Sequence, residues 1–232
     1  MRRPREGLFL KPVVNRFLRL LAGLAIMSVG IAMSYQSGLG LSPWDVLNDG
    51  ASMKLPITFG QASILIGLVI LLIDVLLKER VGFGTFINIL LVGSLVDLIV
   101  WTNIIPSYRA VEGLGHLAPR LILCALSLIP SAFGMYFYMS ARLGSGPRDG
   151  LMCALTRRLP NVPVGAIRVA QEGLAFVLGW LLGGRVGLGT IILVLGNGPV
   201  MQIIFKACKF EIKDLRNETI PETIAALRAA RK

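Results

Sequence analysis

Asp45 and Asp149 stand at matching places in two copies of one short pattern. The first copy reads Leu39-Gly40-Leu41-Ser42-Pro43-Trp44-Asp45 and the second Leu143-Gly144-Ser145-Gly146-Pro147-Arg148-Asp149. Carboxylates set among apolar segments are costly to bury and mark ion or substrate paths. If the aspartates dominate, a proton or a cation is the natural ligand. If the two copies converge, helix N-termini joined by Arg148 suit an anionic group, and Trp44, which stands where the second copy has Arg148, covers an apolar part. Glu172 lies beside Gln171 within an apolar run, with Arg168 one turn earlier as its expected partner. Ser42, Trp44, Asp45, Arg148, Asp149 and Glu172 form the candidate substrate-binding set.

The same acids also fit a local role. Ser42 suits an N-cap, Pro43 the first helical position, and Asp45 the third, where it can reach back as in a capping box. A short helix is therefore predicted from Pro43 to about Lys54, before Leu55-Pro56, and a counterpart from Pro147 to Arg158, before Leu159-Pro160. About 12 residues rising 1.5 Å each span ~18 Å, roughly half a bilayer. Two placements fit: a re-entrant half-helix with a deep N-terminus, or an interfacial helix anchored by Lys54 or Arg158.

The duplication extends beyond the acids. Gly134 answers Gly30, Gly165 answers Gly60, and Val186-Gly187-Leu188-Gly189-Thr190 answers Val81-Gly82-Phe83-Gly84-Thr85. Gly40, Pro43, Gly84, Thr85, Gly144, Pro147, Gly189 and Thr190 are the expected structural residues of the motifs, with Thr85 and Thr190 capping the helices that follow. Asn88 and Asn197 are expected to bond between helices. Asp74, close to Lys78 and Arg80, is expected to form an interfacial ion pair.

A chain of 232 residues with 54% hydrophobic and 16% charged residues and a mean hydropathy of +0.71 is too apolar for one soluble core. Apolar runs of spanning length lie at about Phe17 to Gln36, Gly60 to Leu77, Thr85 to Trp101, Arg120 to Ala141, Ala166 to Leu182 and Thr190 to Lys206. The fold class is an all-α, polytopic membrane protein of about six spans. Simple alternation places all but Lys54, Arg109, Arg120 and Arg185 of the 24 Lys and Arg on one side, which by the positive-inside rule puts both termini in the cytoplasm. With three spans per copy, the two halves lie upside down relative to one another. The expected organisation is a basic cytoplasmic N-terminus (1–16), a first membrane repeat (17–101), an external loop (102–119), a second repeat (120–206) and a basic cytoplasmic tail (207–232), with Pro221 to Ala230 resting on the inner leaflet.

The paired motifs, continued as Val46-Leu47 and Gly150-Leu151, and the two Val-Gly-x-Gly-Thr turns resemble the bacterial YczE/YyaS/YitT group of integral membrane proteins, over about Phe17 to Phe205. The resemblance implies a bacterial plasma-membrane protein. YitT-like members are expected to bear a soluble C-terminal domain where this chain has a short tail.

Several chemistries lack their residues. The Gly-x-Gly elements do not complete a dinucleotide fingerprint, there is no Walker A sequence, and one histidine, His116, leaves little for hydrolysis or metal ligation. Cys124, Cys153 and Cys208 suggest no disulfide framework or zinc site. The reading is a non-enzymatic protein without cofactor or metal, moving a small solute or ion through a central site. The second reading is a membrane scaffold or regulator that recruits a cytoplasmic protein through its tail. Expected partners are the lipid bilayer and a small solute or ion, with no nucleic acid; a homo-oligomer also fits.

Overall fold

Hydropathy alone dictates helices here, since a backbone crossing lipid must satisfy its own hydrogen bonds. The computed structural model describes residues 7–79, 81–111, 116–144 and 146–210, with side chains from Val14 onward. The expected leaflet helix at Pro221 to Ala230, most of the basic N-terminus, Arg80 and Ser145 lie outside the described residues.

Among the described residues there are eight helices and no strand: α1 (Gly7–Ser37), α2 (Pro43–Lys54), α3 (Phe59–Leu76), α4 (Phe83–Thr102), α5 (Leu117–Ser140), α6 (Pro147–Arg158), α7 (Val164–Leu181) and α8 (Leu188–Ala207). Six are long and apolar enough to cross a membrane, namely α1 over Val14–Ser37 together with α3, α4, α5, α7 and α8. Their outward faces carry large exposed apolar side chains such as Leu72, Leu195 and Ile203, as a lipid-facing surface requires. Trp101 and Trp180 are exposed at the ends of α4 and α7. The two short helices have the bounds expected from Pro at their starts and Leu-Pro after their ends.

The frame is built on α1 and α5. These helices run antiparallel and approach closely where small residues meet: a methyl placed on Gly134 would lie 2.6 Å from the Gly23 carbonyl oxygen, and one on Gly30 2.7 Å from that of Ser127. Each helix begins against the other's end. Arg120 of α5 donates from Nε to the Ser37 carbonyl at 3.1 Å and from Nη2 to that of Gly38 at 2.9 Å. Arg16 of α1 donates from Nε to the Ala141 carbonyl at 2.8 Å and from Nη2 to that of Arg142 at 3.3 Å. The two arginines thereby satisfy carbonyls that a helix end leaves without partners.

Around this pair α4 packs on α1, α8 on α5, α2 on α7, and α6 on α3. The motifs explain the exchange between halves. The Leu39 carbonyl accepts from Gly189 N and Leu41 N donates to Thr190 Oγ1, while the Leu143 carbonyl accepts from Gly84 N. Gly40 and Gly144 sit at φ +112° and +137°, conformations that an L side chain rarely adopts, with their backbones against the opposite half's Val-Gly-x-Gly-Thr turn. Thr190 stands at the third helical position of its turn and caps from there, as a capping-box residue does. Gly82 and Gly187 occupy the N-cap positions, and Thr190, a turn later, ties its own Gly187 N–H and the other half's Leu41 N–H to one hydroxyl. Asp97 serves the frame as well, accepting from Gly60 N at 2.7 Å and from the Thr58 hydroxyl.

Candidate functional site

A short helix starting with proline leaves N–H groups of its first turn unused, and both half-helices aim that end at the same place. The first helix-closing bonds run from Val46 N to the Ser42 carbonyl and from Gly150 N to that of Gly146, so the N–H groups before them remain available as donors. Arg148 Nη2 lies 3.9 Å from Asp45 Oδ1, and its guanidinium carbon 5.1 Å from the centre of the Trp44 ring. One cavity of about 350 Å³ is lined by Ser42, Pro43 and Trp44 from the first motif and by Gly146, Pro147, Arg148 and Asp149 from the second.

The remaining wall is apolar at Ile31 and at Met27, Met135, Met152 and Met201, whose flexible thioethers adapt to irregular shapes. Asn88, Asn197, Gln171, Arg168 and Glu172 supply polar groups. The asparagines line the cavity, and neither side chain makes an interhelical hydrogen bond among the described residues. Glu172 accepts from Arg168 Nε at 3.1 Å, the partner expected one turn earlier.

The acids do not cap their helices. Neither N-cap residue, Ser42 or Gly146, makes a side-chain cap bond. Instead Ser42 Oγ donates to Asp45 at 2.5 Å and Asn48 Nδ2 donates to it at 3.3 Å, so the expected capping box is replaced by a hydrogen-bonded carboxylate buried behind the cavity wall. Asp149, which does line the cavity, accepts from the Tyr138 hydroxyl at 2.9 Å; that hydroxyl oxygen accepts from Gly146 N at 2.9 Å. Arg148 makes no hydrogen bond among the described residues, and 37% of its side-chain surface stays accessible. Gln171 Nε2, also on the wall, has no partner among the described residues. A guanidinium with open donors, flanked by helix N-termini and an indole face, can receive a carboxylate or phosphate and cover an attached apolar part.

Three features escaped the sequence reading. Tyr138 is buried and orients Asp149. Asp49, one turn beyond Asp45 on α2, is fully buried and takes Arg185 in a two-pronged pair, Nη2 to Oδ1 at 2.7 Å and Nε to Oδ2 at 3.0 Å, with Arg185 N adding a third bond at 2.9 Å. The spacing of the two aspartates on one helix was the available signal. Arg185 and Arg109 also lie over the Tyr35 ring, at 4.8 and 4.1 Å, at this end of the bundle. Asp74 is the third: it is 1% exposed, buried under α6, and forms no salt bridge with Lys78, while Arg80, the other expected partner, lies outside the described residues. It is Glu79 that forms an ion pair there, with Arg157. No group of three or more potential metal ligands occurs among the described residues, and the three cysteines are unpaired.

Comparison with known proteins places this architecture in a family. Residues 14–206 match the model of a family described as "Family of unknown function (DUF6198)". An uncharacterized protein of Haemophilus influenzae is 34% identical over 183 residues, which cover 79% of this chain and 80% of the relative. Two Bacillus subtilis proteins are each 29% identical: the uncharacterized membrane protein YczE over 82% of this chain and 85% of its own length, and YyaS over 78% and 88%. No solved structure matches. With its six apolar helices and the match running from α1 through α8, the chain belongs to the family of unknown function DUF6198 and is a YczE/YyaS-like multi-pass membrane protein.

Proposed function

We propose that the protein is a small-solute transporter of the bacterial plasma membrane, built as an inverted repeat with both termini in the cytoplasm and without enzymatic activity. The observation that carries this reading is the meeting of both half-helix N-termini at one cavity, with Arg148 against Trp44 and Asp45. The antiparallel α1–α5 pair, held by Arg16 and Arg120, supports the inversion, and the one-sided basic residues support the orientation. Half-helices starting at the centre of a bundle and ending at opposite faces are a transporter's way of presenting backbone donors at mid-membrane.

The solute class is an organic anion. Its carboxylate or phosphate meets the open guanidinium of Arg148 and the free N–H groups; its apolar body meets Trp44 and the methionines. Asp45 and Tyr138-bonded Asp149 orient the site rather than bind the anion. The lipid bilayer is the expected surrounding, and no cofactor or nucleic acid is invoked. The scaffold reading rests on the tail, which lies outside the described residues, and is carried no further.

The test is a thermal-stability screen of purified protein against organic acids, phosphorylated metabolites, amino acids and simple cations, run beside Arg148→Gln and Asp149→Asn. A ligand at 100 times its Kd stabilises by about 2.7 kcal/mol. An organic anion should raise the transition temperature of the wild type and lose that effect in Arg148→Gln. Stabilisation by cations alone, or an anion effect that survives Arg148→Gln, refutes the anion assignment; a silent screen with folded variants refutes the solute site.

A further inference from the structure

Asp74 belongs to none of the groups that line the cavity, yet it is almost wholly enclosed by the bundle and, unlike the equally buried Asp49, its carboxylate has no partner among the described residues. It lies two residues before the end of α3, 1% exposed, and its side chain makes no hydrogen bond or salt bridge among the described residues, with Oδ1 buried. α6 is its lid. A methyl placed on Gly150 would lie 2.6 Å from Asp74 Oδ2, so the α6 backbone rests on the carboxyl with no room for water between. Gly150 directly follows Arg148 and Asp149, the cavity residues of the second motif.

Among the described residues the surroundings offer no counter-ion; Arg80 lies outside them. From the end of its own helix comes Glu79, a second acid, already bonded by Arg157 of α6. Lys78, also near that end, is not paired with Asp74. α6 adds Asp149, held by Tyr138, and the thiol of Cys153. The one acid of α4, Asp97, is bonded at the opposite end of α3. On α2, Asp49 is committed to Arg185 and Asp45 faces Ser42, Asn48 and Arg148, leaving Lys54 at that helix's far end. A buried carboxylate without partners is far costlier than a neutral carboxyl.

We propose that Asp74 is a proton-binding site sealed by α6: the carboxyl holds its proton while Gly150 rests on it, and releases that proton to water when α6 lifts. Because α6 carries Arg148 and Asp149, proton occupancy and the state of the cavity are linked, and the linkage is reciprocal. Only one half has the device. The corresponding position in the second half is Gly179, whose backbone packs against Val46 and Leu47 of α2. The site's use as a proton-coupling group rests on the transport reading; its existence does not.

Infrared spectroscopy of the full chain in lipid bilayers tests the site without any solute. At neutral pH the wild type should show the carbonyl stretch of a protonated carboxylic acid, and Asp74→Asn should lose it. Gly150→Ala, which keeps the acid but breaks the seal, should lose it too, and Asp74→Glu should restore a shifted band if Asn perturbs folding. An identical protonated-acid band in wild type and Asp74→Asn overturns the proton site. Movement of α6 is read at Cys153, which is accessible and within electrostatic reach of Asp74, by N-ethylmaleimide labelling located by peptide mass. As pH rises, labelling of the wild type should outpace that of Asp74→Asn. An ionised Asp74 acting through charge alone would suppress the thiolate instead, so equal or slower labelling overturns the linkage. If both measurements succeed and the solute screen stays silent, the transport reading falls and the proton site stands.

Discussion

Arg16 and Arg120 hold corresponding carbonyls with corresponding nitrogens, Nε on Ala141 and Ser37 and Nη2 on Arg142 and Gly38. The positions facing the cavity have diverged instead: Arg148 against Trp44, Glu172 against Gly67, and Tyr138 against Ser34. The duplicated residues thus hold the frame, where the same contact serves both ends of the bundle. The divergent ones give the centre its chemistry, where a symmetric site would put like charges face to face. Asp49–Arg185 and Asp74 extend the contrast, since their counterparts are Cys153 and Gly179.

Substitutions at paired positions can break this comparison. The largest difference is expected at Asp49 and Cys153. Asp49→Ala strands a part-buried guanidinium and should cost roughly 3–5 kcal/mol, whereas Cys153→Ala should stay within about 0.5 kcal/mol; equal losses in detergent unfolding would erase the asymmetry. Next are the helix-end clamps. Buried Arg120→Ala should cost about 2–3 kcal/mol and half-buried Arg16→Ala about 1 kcal/mol, because more desolvated carbonyls are left unpaired in the first. Gly40→Ala and Gly144→Ala should each lose about 1–3 kcal/mol, matching one another because both positions need positive φ against a neighbouring backbone. A marked mismatch between the two would show that the turns are not equivalent. Smallest is Arg168→Ala, which removes a partly exposed pair worth about 0.5 kcal/mol in the same assay.

Much of the frame was legible in the chain. Hydropathy located the six long helices, and proline at the start with Leu-Pro beyond the end located α2 and α6. What failed was pairing across the repeat. Asp49 and Arg185 are 136 residues apart, so no local pattern joins them. Arg16 and Arg120 read as topology markers, although the spacing that relates Asp45 to Asp149 also relates them and their carbonyl partners. Lys78 lies one helical turn from Asp74, a local argument that burial under α6 overrides; Arg80, the other expected partner, lies outside the described residues. The motif threonines and Ser42 took local caps in the sequence reading. In the fold Thr190 adds to its local bond with Gly187 N–H a second one with Leu41 N–H of the opposite half, and Ser42 serves the Asp45 carboxylate.

The central claim is that an organic anion occupies the cavity at Arg148, and uptake into proteoliposomes tests it most directly. Vesicles bearing the wild type should take up the anion that stabilises the purified protein. Arg148→Gln vesicles should take it up at least about tenfold more slowly at limiting concentration, as loss of a charge-assisted contact of about 1.5–3 kcal/mol requires. Uptake unchanged by Arg148→Gln, or a stabilising anion that no protein-bearing vesicle transports, would contradict the account.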